Sequence, residues 1–452
     1  MSVVNAMKEE PPRHNIMCLV GNGFDMAALS WLNSRNDSFA KDAGFGSKVL
    51  SGYSNFVDYL VLTKRLDEGT NDVYKKMIEN YKKKVSGTSI GDDWCNFEKI
   101  VDDKVFATPQ PDNNTLAELE KALLELQREF SIFLNNLLPA EKIVEYDRLV
   151  SEGRFAYLSL QDILEDMKYV EQAHRQEFKF NRRIRYGHEL NYMFVDFNYT
   201  MLLDSYVHLD RNQFEPKAFS SSENNFEFRV NPGEIFTEFK YYDRNGSDTT
   251  STLDDVKKGA FVYPTKIITQ VVHPHGIQDV PRSILFGTEH NVENWPANDY
   301  RWRFVKHLWA QDKDKYTKNL DETELFIIFG SSISYMDGWW MSEIYNRLLD
   351  NEPEGSEDSG TGERETRELI IYDNVTFSKR NTDDILNAFF EACIFAKRDT
   401  TKDDKVKKYI YVIPYENGKN VFLGYPENSN KKITYFSMSN DKQIKSVTVN
   451  NT

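Results

Sequence analysis

Apolar residues change their spacing repeatedly along the chain, and each change predicts an element. Ile16-Met17-Cys18-Leu19-Val20 is a short, unbroken apolar run stopped by Gly21-Asn22-Gly23, which reads as a strand feeding a tight turn. From Phe24 to Leu32, Tyr53 to Leu66 and Val73 to Val85, apolar positions recur at intervals of three and four among charges, the period of an amphipathic helix. The clearest helix is Thr115 to Leu138, where Thr115 and Glu118 have capping-box spacing and leucines recur through Leu116, Leu119, Leu123, Leu124 and Leu126. A further helical stretch is expected from about Leu158 to Phe178.

Strand character returns at Tyr192 to Phe197, and Asn198-Tyr199-Thr200 then opens a helix through Met201, Leu202, Tyr206 and Val207. Residues 211–260 are polar and aromatic, with turn signals at Asn231-Pro232-Gly233 and Asn245-Gly246, and read as an irregular or hairpin-rich excursion. Lys266 to Val272 is a strand ending in His273-Pro274-His275-Gly276, Ser283 to Gly287 a second short strand, and Trp302 to Gln311 a helix. Glu324 to Phe329 has the near-continuous apolar pattern of a strand buried on both faces of a parallel sheet, and it ends in Gly330-Ser331-Ser332. A helix through Trp339, Trp340, Ile344 and Leu348 follows, then an acidic loop from Asp350 to Glu363, the strand Leu369 to Tyr372, a helix over Ile385 to Phe395 and the strand Tyr409 to Ile413. The alternation predicts an α/β fold, a Rossmann-like parallel sheet core built from residues 14–50 and 189–450 and interrupted by a helical insertion over 51–188.

Composition narrows the function. The 452 residues carry 56 Lys plus Arg against 71 Asp plus Glu, a formal charge of −15, so nonspecific binding to nucleic acid or anionic lipid is not expected. The basic runs Lys82-Lys83-Lys84 and Lys402 to Lys408 lack a spaced aromatic platform and read as solvated surface. Cys18, Cys95 and Cys393 lie far apart, which suits neither a zinc site nor a disulfide framework and points to a reducing, cytoplasmic setting. No apolar run reaches the roughly 18 to 20 residues of a membrane span.

Four motifs fall at the carboxyl ends of predicted strands, which share one edge in a parallel sheet and are where ligands of such sheets gather. They are Gly21 to Asp25, Phe197 to Thr200, His273 to Gly276, and Phe329 to Ser332 leading to Asp337. Gly21 and Gly23 either let the backbone bend and pack closely or let its N–H groups approach a pyrophosphate. Asn198 either caps a helix or contacts a ribose or a water, since an amide donates and accepts without charge. His273 and His275 occupy alternate positions, which raises a metal reading. Only Glu289 and His290 are near as further ligands, and no metal is expected. His275 fits better as a general base beside the space left by Gly276, or as a buried histidine bonded to backbone. Gly330, Ser331 and Ser332 suit a phosphate or ribose, and Asp337 a helix cap. A different reading groups Asp25, Glu98 and Asp337 around Mg²⁺ in a nuclease-type toxin.

Taken in order, Gly21 to Asp25, Tyr53 with Phe56, Trp94 with Glu98, Phe197 to Thr200, His275-Gly276, Phe286-Gly287 and Gly330 to Ser332 with Asp337 resemble the motif series of the AbiH-like bacteriophage abortive-infection family. More distantly, the series is similar to sirtuin-like NAD-binding domains. That resemblance implies NAD as substrate, with Gly21, Asn22 and Gly23 lining the pyrophosphate. It also implies that Asn198 orients the ribose or water, that His275 acts as base or ribose contact, and that Gly330, Ser331 and Ser332 hold the far half of the nucleotide; Phe24, Asp25, Thr200, Gly276 and Asp337 are expected as further cofactor-binding residues. Asn22 and Phe24-Asp25 depart from the sirtuin pattern and the zinc-binding cysteine pairs are absent, so protein deacetylation is not expected. The family implies a defence effector that responds to a phage-derived trigger, as an enzyme or as a noncatalytic sensor, with self-association as a further expectation.

Overall fold

A computed structural model describes residues 12–35, 51–67, 69–86, 97–156, 159–160, 163, 166–184, 189–210, 238–242, 248–252, 266–292, 295–296, 298–351, 366–396, 400–416, 421–425, 433–438 and 444–449. Strands β1 (Arg13–Val20) and β2 (Glu189–Asp196) come first, and β3 (Glu238–Tyr242) and β4 (Asp248–Thr252) form a separate antiparallel hairpin. Next come β5 (Lys266–Val272), β6 (Leu325–Phe329), β7 (Glu368–Asn374) and β8 (Ile410–Tyr415), and β9 (Ile433–Met438) with β10 (Ile444–Val449) makes a second hairpin. Six strands join one sheet in the order β5-β2-β1-β6-β7-β8, every pair parallel. β1 lies between β2 and β6, with Cys18 opposite both Phe194 and Ile327. The chain thus builds outward from β1 in one direction and then in the other, and the order reverses between β1 and β6.

Period two along the strands assigns the two faces. Ile16, Cys18 and Val20 pack on α1 (Asn22–Arg35), α2 (Tyr53–Thr63), α3 (Asp72–Val85), α4 (Phe97–Val105), α5 (Asn113–Leu137) and α6 (Ala140–Glu152) through Phe24, Phe56, Met77, Phe97, Phe130 and Tyr146. The same cluster takes in α7 (Leu202–Val207). Met17 and Leu19 instead meet α8 (Asp312–Glu322), α9 (Gly338–Leu349) and α10 (Thr382–Ala392) through Leu320, Trp340, Ile344 and Phe389. All five residues of β6 are buried, as expected of a strand covered on both sides. Among the described residues no helix is long and apolar enough to cross a membrane.

Several elements differ from the pattern read from the sequence, each for a local reason. The helix expected from Thr115 starts at Asn113, because the Asp112 carboxylate accepts the Thr115 amide and caps the helix earlier. The stretch expected to be helical from 158 to 178 contains a 3₁₀ turn, Asp166–Tyr169, and a short helix, Gln172–Arg175. Buried Asp166 holds this segment against the sheet by accepting from the Tyr372 hydroxyl and the Phe422 amide. Ser283 to Gly287 forms no strand: Pro281–Ser283 is a 3₁₀ turn, and the Ile284 carbonyl and Leu285 amide are taken by Gln127 and His275. Trp302 to Gln311 breaks at Val305, which bridges to Thr288, leaving the 3₁₀ turn Tyr300–Phe304 and the short helix Lys306–Trp309. The excursion over 211–260 is described only in its hairpin β3–β4, and most of the acidic loop from 350 to 363 lies outside the described residues.

The turns after β1 and β6 are stitched together. The Gly21 amide donates to the Phe329 carbonyl at 2.9 Å and the Gly23 amide to the Gly330 carbonyl at 2.8 Å. A Cβ on Gly21 would lie 2.7 Å from Ser331 Cα, and one on Gly330, whose φ is +65°, would lie 2.7 Å from the Phe24 nitrogen. Gly330→Ala adds left-handed strain to that overlap and is expected to lower stability by about 2–4 kcal/mol, read as a fall in the urea midpoint. An unchanged midpoint would show that the two turns do not pack as described.

Candidate functional site

A cavity of about 430 Å³ opens where β1, β2 and β6 end, within the range of small-molecule sites. Gly21, Asn22, Gly23 and Asp25 line it from the first turn, and Asn198 and Thr200 from the end of β2. His275 enters beyond β5, and Gly330, Ser331, Ser332 and Asp337 beyond β6. Four motifs separated by as much as three hundred residues therefore meet in one place. Two residues expected at the site do not line it. Phe24 is fully buried and packs edge-on against Tyr206. Gly276, with φ +87°, donates its amide to the His273 carbonyl and sits against the Ser283 backbone.

Polar groups at the strand ends hold one another. Asn198 is not a helix cap, since α7 starts only at Leu202; its Nδ2 donates to the Gly21 carbonyl at 3.2 Å and its amide to Asp196 Oδ1 at 3.0 Å. Thr200 donates its hydroxyl to Asp25 Oδ2 at 2.8 Å, and Ser51 donates to the Asn22 side chain at 2.8 Å. The amides of Gly21 and Gly23 are committed to β6, so close packing is the role the geometry gives both glycines.

On the other wall Lys306, only 2% exposed, lies 3.0 Å from Glu98 and 3.7 Å from Asp337. Burial pulls the lysine down, but the carboxylates outweigh it and the net direction is upward. Burial raises Glu98 and Asp337, against the pull of Lys306. Asp337 occupies the N-cap position of α9, yet its side chain makes no capping bond there. It also lies 3.9 Å from His275 Nε2. His275 is stacked on Phe197 at 4.9 Å between ring centres, and burial followed by the Lys306 charge drives its pKa well below 6.5. The imidazole is therefore neutral at pH 7. Glu98 and Asp337 have a lysine between them and Asp25 is held by Thr200; the three line one cavity, but among the described residues they are not grouped at metal-ligand spacing.

The two histidines of the His-Pro-His segment serve different neighbours. His273 turns to Asp204, 3.0 Å from Nε2, and to Asp196, 3.8 Å from Nδ1, while His275 faces the cavity. Glu289 and His290, near in sequence, are elsewhere: Glu289 accepts from His307, and His290 pairs with Asp102 at 2.7 Å.

Residues 45–353 match the family model described as bacteriophage abortive infection AbiH. The chain belongs to that family. No curated protein and no solved structure matches it. The AbiH match begins after β1 and its Gly-Asn-Gly turn, which the Phe329 and Gly330 carbonyls tie to the matched region. Within that region lie Tyr53, Glu98, Asn198, His275, Lys306, Ser331 and Asp337, all of which line the cavity. Trp94, expected to pair with Glu98, lies outside the described residues.

Lys306 is the charged lining residue that sequence reasoning missed. It follows Arg301 and Arg303 in a stretch with helical patterning, and nothing local separates it from a surface lysine. Its burial depends on contacts 31 and 208 positions away, at Asp337 and Glu98. Tyr53 was legible only as part of a motif, and Phe197 only as a strand end.

Asp25 yields a pH prediction. Burial, opposed by the Thr200 hydrogen bond and His273, pushes its pKa from 3.8 up to about 7. Between those values the folded chain holds a proton that the unfolded chain has released, so stability present below pH 4 declines as pH rises toward 7. Wild type is expected to lose on the order of 2 kcal/mol more than Asp25→Asn between pH 5 and 8, measured by urea denaturation. Equal losses would show that Asp25 is ionised in the folded chain at pH 5.

Proposed function

We propose that this AbiH-family chain is an abortive-infection effector that binds a nucleotide at the carboxyl edge of the sheet and hydrolyses NAD. The observation that carries the reading is the convergence of Asn198 and His275 in one cavity, at the reversal of strand order between β1 and β6. Such a reversal is where open parallel α/β sheets take their ligands, and it supports the Rossmann-like assignment. The sirtuin-like comparison belongs to the same proposal and rests on the motif series.

The reaction adds water across the nicotinamide–ribose bond. The carbon–nitrogen bond breaks with its electron pair leaving on nicotinamide, a carbon–oxygen bond forms to water, and one proton is released. Positive charge develops on the ribose, so an enclosed site with fixed carboxylates lowers the barrier. Asn198, oriented by the Gly21 carbonyl, holds a ribose hydroxyl or the water. His275 is neutral and accepts a hydrogen bond from the same group. Its depressed basicity suits orientation better than proton storage, and Asp337, raised by burial and 3.9 Å away, takes up the proton. Ser331 and Ser332 hold the far half of the nucleotide.

Purified protein incubated with NAD is expected to release nicotinamide and ADP-ribose. His275→Ala and Asn198→Ala are each expected to slow release about 10²-fold or more with the fold retained, followed by chromatography of the products and circular dichroism. Unchanged NAD loss in folded variants would remove both residues from the mechanism. NAD binding without turnover in wild type would favour the sensor reading instead.

A further inference from the structure

Behind Asn198, three carboxylates surround a single imidazole. Asp196 ends β2, Asp204 lies on α7, and His273 follows β5, so three separate elements each deliver one group. One ligand atom from each of Asp196, Asp204 and His273 lies within 4.8 Å of the others. Asp25 adds the third carboxyl group, whose charge acts on Asp196 and which in turn feels His273 and Asp204.

The charge balance there is incomplete. Asp196 is fully buried; its Oδ1 accepts the Asn198 amide, but its Oδ2, facing His273 from 3.8 Å, has no hydrogen-bond partner. Asp25 is 1% exposed; its Oδ2 accepts from Thr200, and its Oδ1 has no partner either. Two buried, unsatisfied carboxylate oxygens cost stability unless a cation or a proton meets them. Among the described residues, the leading charges that act on Asp25 are His273 and Asp204, and on Asp196 Asp25 and Asp204. The His273 side chain keeps 13% of its surface and that of Asp204 28%, which leaves an approach from solvent.

We infer that Asp196, Asp204 and His273 form a binding site for a divalent first-row metal ion, with Asp25 as a further carboxylate behind it. A ligand spacing under 4.8 Å can be spanned by metal–ligand bonds of about 2.0–2.3 Å. One imidazole with carboxylates suits Mn²⁺ better than Ca²⁺, which prefers oxygen ligands alone. The ion replaces the 3.0 Å contact between His273 and Asp204 and neutralises the orphan oxygen of Asp196. Its Asp196 ligand is Oδ2, the oxygen that does not accept the Asn198 amide; of the four residues only Asp25 lines the cavity. The site stands apart from the NAD reading, since it requires only that the ion bind.

The test is titration of the metal-stripped full chain with Mn²⁺, followed by the loss of the free-ion electron paramagnetic resonance signal, with Ca²⁺ as competitor. Wild type is expected to bind one ion that a tenfold excess of Ca²⁺ does not displace. Asp204→Asn and His273→Gln are each expected to weaken binding at least tenfold. Asp102→Asn, which alters the carboxylate–imidazole pair with His290, is expected to bind as wild type does. Absence of binding by wild type would overturn the site, leaving the buried carboxylates to share protons. Undiminished binding by folded Asp204→Asn and His273→Gln would overturn it equally.

Discussion

The contact between the turn after β1 and the turn after β6 is the constraint on which the rest of the molecule depends. Two backbone hydrogen bonds and three glycines bring these strand ends within van der Waals distance. Any side chain at Gly21 or Gly23 would meet the backbone of Gly330 or Ser331, which cannot swing aside as a flexible side chain does. That closeness places Asn22 and Asp25 beside Ser331 and Ser332, and it sets the first wall of the cavity. Asn198 extends the same stitching to β2 through the Gly21 carbonyl.

Charge organises the opposite wall. Lys306 is buried between Glu98 and Asp337, so the three groups depend on each other for compensation: removing the lysine would leave two carboxylates in a low-dielectric site. Its positive charge also helps keep His275 neutral. Burial is the larger cause, and the buried ammonium adds to it from a different element. The arrangement gives the cavity carboxyl groups on both sides, Asp25 on one and Glu98 with Asp337 on the other.

The helices between β1 and β2 are more than a cover for one face of the sheet. Phe130 and Leu134 of α5 line the cavity, while Gln127 and Ser131 of the same helix donate to the carbonyls of Ile284 and Gln278. This helix therefore closes the site and holds the segment that follows His275. Glu98 of α4 reaches the cavity from the same layer. A shift of these helices would alter the cavity directly, giving the inserted layer a physical route to the strand ends.

Much of the architecture was legible in the sequence. Strands such as Leu325–Phe329 are continuous apolar runs because both their faces are covered, and strand-to-helix turns are marked by glycine and asparagine whatever surrounds them. The position of Asn198, His275 and Ser331 on one edge followed from parallel strands sharing a direction. What the sequence could not decide was partnership. Whether Asn198 caps a helix or ties two strands, whether Asp337 caps α9 or faces a lysine, and which carboxylates gather at His273 depend on residues tens to hundreds of positions away. A short-range pattern carries periodicity and turn chemistry, which arise from neighbouring residues. Burial and charge pairing arise from the packing of distant elements, and only the tertiary structure brings Lys306 to Glu98 or Asp204 to His273.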